Sequence, residues 1–80
     1  MSILIVKPAP LATDVTVTSD FLRAVLADGR EISAPLTWFP RLVEASALQR
    51  AKWRLIGSGI GIHWPDIDED ISVESLLAVR

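Results

Sequence analysis

The sequence holds 80 residues, half of them apolar, with a net charge of −2 and no cysteine. That is a single domain, residues 1–80, with enough apolar material for a core, so a disordered chain is excluded along with disulfides, thiol catalysis and thiolate metal sites. The charge gives the whole chain no electrostatic footprint for nucleic acid. Apolar runs reach only four residues, too short for a membrane span or a signal-peptide core, so a cytoplasmic location is expected.

Residues 1–12 read as an N-terminal arm, with the family-like core following over 13–80. The arm opens on a β-prone run, Ile3, Leu4, Ile5 and Val6, and Pro8 and Pro10 then forbid a helix. An exposed apolar run of this kind invites pairing, either as an added edge strand or in a homodimer through Ile3 to Val6. From Thr13 the chain alternates, with Val15 and Val17 opposed to Asp14, Thr16 and Thr18. A turn at Ser19 and Asp20 leads to a second strand over 21–26, and Asp28-Gly29 marks the next hairpin. A two-residue loop there would pair Leu26 with Glu31 and mix the faces. A three-residue loop over Ala27, Asp28 and Gly29, with Gly29 left-handed, pairs Ala24 with Ile32 and Leu22 with Ala34. It gathers Val15, Val17, Leu22, Ala24, Leu26, Ile32, Ala34 and Leu36 on one face.

Helices are expected to cover that face. Pro40 suits the first turn of a helix over 40–45. Ser46, with Gln49 three residues on, makes a capping box for a second helix over about 47–52. Residues 53–56 are either a strand or the end of that helix. Gly57-Ser58-Gly59 is a turn, residues 60–64 alternate as a further strand, and Ser72 caps a last helix over about 73–79 that buries Val73, Leu76 and Leu77. The expected fold is α+β: an antiparallel β-meander of three strands, plus one or two further strands, covered by two or three short helices.

Several patterns invite a chemical reading and are weighed against plainer ones. Gly57, Gly59 and Gly61 do not make a dinucleotide fingerprint, which would need a glycine at position 62, where Ile62 stands, and a helix after it; glycines alternating in a strand suit close approach of another element. Asp66, Asp68 and Asp70 open like a calcium loop, yet Ile71 stands where its glycine belongs and Leu77 where its bidentate glutamate belongs. Acidic residues ahead of the Ser72 cap suit the positive end of a helix instead. His63 is the only histidine, which rules out a multi-histidine metal site within one chain. It would act as a base with Asp66 or Asp68 beside it, but no second catalytic group is marked, and a hydrogen-bonded surface histidine is the plainer reading. No catalytic, cofactor-binding or metal-ligating residue is assigned, and no cofactor is expected. Trp38, Trp53 and Trp64 suit a small core, and any one of them would also serve as an interface anchor.

Charge is unevenly laid out: Arg41, Arg50, Lys52 and Arg54 gather in one segment, and Asp66, Asp68, Glu69, Asp70 and Glu74 in another. Two solvated faces are the plainer reading, and an acidic surface that meets a basic partner is the sharper one.

Several blocks carry a family resemblance. They are Asp28-Gly29-Arg30, Pro35-Leu36 with Trp38-Phe39-Pro40-Arg41-Leu42, Arg50 with Trp53, and above all Gly61-Ile62-His63-Trp64-Pro65, then Asp68-Glu69-Asp70-Ile71-Ser72-Val73 and Leu76-Leu77. Over 15–77 the chain resembles the short form of the family known as domain of unknown function 2442. The resemblance implies a compact, mostly bacterial α+β domain with no established activity, often encoded beside another small gene in a toxin–antitoxin-like pair. Some relatives carry a C-terminal helix-turn-helix domain; this chain stops at Arg80, so direct DNA binding is not carried over.

Three functions follow as expectations. The leading one is a non-enzymatic protein-interaction or regulatory domain, antitoxin-like, whose surface is Trp64, Asp66, Asp68, Glu69 and Asp70 and whose partner is a small basic protein. The second is a ligand-binding protein or enzyme using His63 with the acidic segment, which calls for a polar pocket at His63. The third is a nucleic-acid accessory, which calls for Arg41, Arg50, Lys52 and Arg54 on one exposed face.

Overall fold

The computed structural model describes residues 10–77; the expected strand at Ile3 to Val6 lies outside them. The architecture is α+β, with two three-stranded antiparallel sheets and three short helices.

The first sheet runs in the order β1 (Ala12–Val17), β2 (Phe21–Leu26), β3 (Glu31–Pro35). Val17 pairs with Leu22 and Val15 with Ala24; across the second hairpin Ala24 pairs with Ile32 and Leu22 with Ala34. This is the three-residue-loop register, closed by the Leu26 N–H donating to the Arg30 carbonyl at 2.7 Å with Gly29 at φ +93°. Strand β1 begins at Ala12, one residue before the expected alternation. Ala12 and Val15 are both buried although three positions apart, and a bulge between Ala12 and Asp14 absorbs the odd residue.

The greasy side is covered as the sequence requires. Helix α1 (Pro40–Glu44) starts on its proline and buries Leu42 completely. Helix α2 (Ala47–Ala51) carries the full Ser46–Gln49 capping box. Helix α3 (Val73–Leu76) begins where the Ser72 hydroxyl accepts from the Ser75 N–H. It buries Val73 and Leu76, but Leu77, the residue that caps its C-terminal end, is 41% exposed rather than buried as expected. No helix among the described residues is long and apolar enough to cross a membrane.

The second sheet, in the order β4 (Arg54–Ile56), β5 (Gly61–Trp64), β6 (Glu69–Ser72), holds one more strand than expected. Half of the segment read as an acidic loop is strand β6: Glu69, Asp70 and Ser72 surround one apolar residue, Ile71, and the charges mask the alternation. Both sheets feed one core, in which Ile62, Trp64 and Ile71 join Val15, Leu22, Ala24 and Leu36. The sheets meet backbone to backbone, where the Ala12 N–H donates to the Gly59 carbonyl at 2.8 Å. A Cβ on Gly59 would lie 2.3 Å from the Ala12 carbonyl oxygen, so this junction needs a glycine.

Candidate functional site

The acidic segment is fixed to the core at both ends. Trp64 before it is fully buried, its indole N–H donating to the Arg50 carbonyl at 3.1 Å; Ile71 after it is buried, and Ile67 between them is half-buried. Trp64 therefore anchors the expected surface and is no part of it, since an indole with no exposed area cannot meet a partner. A 3-10 turn, Pro65–Ile67, and a left-handed Asp68 at φ +51° carry the chain into β6.

Strand β6 is an edge strand, and several of its outward backbone groups are occupied. The Val73 N–H donates to the Ile60 carbonyl, so Glu69 and Ile71 face β5 while Asp68, Asp70 and Ser72 face outward. The Arg41 guanidinium donates to the Asp68 carbonyl at 2.6 Å, and the Glu69 carboxylate accepts the Asp70 N–H at 3.0 Å. The Ser75 hydroxyl donates to the Ser72 carbonyl at 2.7 Å. An edge blunted in this way resists pairing with a stray strand, so what it offers is side chains.

Those side chains are unequal. Asp66, Asp68 and Asp70 are exposed, whereas Glu69 is half-buried with its carboxylate used on the backbone. Lys52 lies 3.6 Å from Asp66 and offsets its charge. Asp70 pairs with His63 through Nδ1, directly across the β5–β6 ladder. The histidine's partner is thus Asp70, where sequence reasoning had looked to Asp66 or Asp68; the pairing becomes visible only once β6 is known to be a strand. On the other side of His63 the register places Arg54, so Arg54, His63 and Asp70 form one row across the outer face. Arg54, Leu55, Ile56, Gly57 and His63 line a shallow, open depression there. This is a mixed polar and apolar surface, less enclosed than the pocket expected of a ligand site. No three His, Asp or Glu side chains converge as metal ligands among the described residues.

The basic segment does not make the cation face that nucleic-acid binding requires. Arg50 donates to the carbonyls of Leu42 and Val43 at the end of α1, at 2.8 and 2.9 Å. Arg41 and Lys52 are turned to the acidic segment, which leaves Arg54 alone outward. The two charged stretches of the sequence fold onto each other, through the Lys52–Asp66 ion pair and the Arg41 bond to the Asp68 carbonyl.

This arrangement can be set beside known proteins. The family described as "Protein of unknown function (DUF2442)" matches residues 12–80. The chain belongs to this family. The match begins at Ala12, where the structure begins its first strand. A crystal structure of a protein of unknown function from Rhodospirillum rubrum ATCC 11170 is similar at a TM-score of 0.72 and 27% identity, over 85% of this chain and 84% of that one. No curated protein matches the chain.

Proposed function

We propose that this DUF2442 domain is a non-enzymatic interaction module, regulatory in role, whose docking surface is the acidic segment and whose partner is a small basic protein. One observation carries the reading: exposed Asp68 and Asp70 stand on a backbone fixed by buried Trp64 and Ile71 and latched by Arg41. Charge held on a rigid support steers an opposite partner without the cost of ordering a loop on binding. Capping of α3 accounts for few of these charges, since Ser72 itself provides the cap. The antitoxin-like role in a two-gene pair rests on the family resemblance, and the reading sets the protein in a bacterial cytoplasm. Its test is co-expression with the product of the neighbouring gene, followed by amide chemical-shift mapping of the purified complex. Shifts concentrated over residues 66–72 support the docking surface; shifts confined to the first sheet would reject it.

A second reading, ligand binding at His63, has one observation in its favour: Asp70 orients the ring beside Arg54. Titration with acetate or inorganic phosphate, followed at the His63 ring protons, tests it, and unmoved resonances at about 50 mM anion would remove it, since a weaker site has no use at ordinary metabolite levels.

A further inference from the structure

Among the described residues the cations are used with one exception. Arg23 lies over the Phe21 ring at 5.0 Å, Arg30 pairs with Asp28, Lys52 faces Asp66, and Arg41 and Arg50 donate to backbone carbonyls. Among the described residues only Arg54 has no such contact, and it stands on a sheet face that no other element covers. The outward side chains of that face are Arg54 and Ile56 on β4, His63 beside Gly61 on β5, and Asp70 and Ser72 on β6. Ile56 leans over Gly61, so close that a Cβ on the glycine would lie 3.3 Å from its Cδ1, and the two make a low apolar shelf. Positive charge therefore occupies one edge of the face, negative charge the other, and His63 the middle.

We propose that this face is self-complementary and that a second copy of the chain packs on it. A two-fold axis along β5 places β4 of each copy opposite β6 of the other, so that each Arg54 meets the other copy's Asp70. Strands about 4.8 Å apart and sheets about 10 Å apart leave a gap that an arginine side chain spans. The alternative axis, across the strands, would set Arg54 against Arg54 and Asp70 against Asp70, so charge selects the first arrangement. Ile56 then faces the Ser72 end of the other sheet, and the missing side chain at Gly61 lets the two layers approach. The face is small, well under the roughly 800 Å² per partner of a standard interface, so the dimer is a weak one. This contact shares Asp70 with the docking surface for a basic partner, so the two compete for that carboxylate, and it is distinct from any pairing of the N-terminal run.

The test is sedimentation velocity of the full chain at low salt, from about 10 μM to about 1 mM, which covers weak dissociation constants from the micromolar to the millimolar range. A concentration-dependent dimer is expected. Arg54→Asp and Asp70→Arg should each lower its association constant at least tenfold, and the double variant R54D/D70R should restore it to within about threefold, because only a contact between these two positions is repaired by exchanging them. Should either reversal disturb folding, R54Q and D70N give the same reading, the asparagine keeping an acceptor for His63; each should weaken the dimer several-fold. A monomer at every concentration overturns the proposal. So does a dimer indifferent to these variants, or charge reversals that the exchange does not rescue.

Discussion

Two glycines do different work in this fold, and the difference can be measured. Gly29 sits at φ +93° in a hairpin with open space around the position of a Cβ, so Gly29→Ala strains only the backbone and should cost about 1 kcal/mol. Gly59 combines φ +111° with a backbone carbonyl 2.3 Å from any added Cβ, so Gly59→Ala must also open the junction between the sheets, at about 3 kcal/mol or more. Denaturant melts of the two variants should rank them in that order, and equal midpoints would refute the junction argument. In the same hairpin the Arg30 backbone N–H holds the Asp28 carboxyl below its usual range; desolvation opposes this, and the Arg30 guanidinium adds to it. A lowered carboxylate pKa adds stability above the ordinary carboxylate value that is lost as pH falls through the folded one. An NMR titration of Asp28 should therefore find a midpoint below that of a free aspartate. A midpoint at or above it would contradict the contact.

At the scale of elements, the C-terminal ends of α1 and α2 are closed by side chains from elsewhere in sequence. Arg50 donates to the Leu42 and Val43 carbonyls and, through its own carbonyl, holds the Trp64 indole, so it ties α1, α2 and β5 together. Arg50→Met keeps the apolar stem and removes the donors; a loss of about 1–3 kcal/mol is expected, whereas Lys52→Met, removing an exposed ion pair, should cost under about 1 kcal/mol. Thermal melts of the two variants decide the matter, and a larger loss at Lys52 would overturn it. Elements with a local signature were legible in the sequence: the Asp28-Gly29 hairpin with its register, Pro40 at the start of α1, and the Ser46–Gln49 box. Strand β6 was not, because its only inward apolar residue is Ile71 and its identity depends on pairing with β5. For α3 the Ser72 cap, the start at Val73 and the burial of Val73 and Leu76 were legible, but its extent was not: the helix ends at Leu76, and Leu77 is exposed.

At the scale of the molecule, two small sheets share one core, and their junction brings the basic and acidic stretches of the chain together. Composition displayed both stretches, and the prediction that the acidic residues stay in solvent holds for Asp66, Asp68 and Asp70. What composition could not convey is that Lys52 offsets Asp66, that Glu69 serves the backbone, and that Trp64 lies wholly inside. Those are facts of tertiary placement, and they narrow the proposed docking surface from five residues to Asp68 and Asp70. The most direct measurement is the association rate of the neighbouring gene's product with the wild-type chain and with a D68N/D70N variant, across a range of salt. Asparagine preserves the left-handed turn at position 68 and the acceptor for His63, so only charge changes. The wild-type rate should fall steeply as salt rises, and the variant should be slower by about tenfold at low salt and equal to wild type at high salt. Equal rates at every salt concentration, or no association at all, would contradict the account.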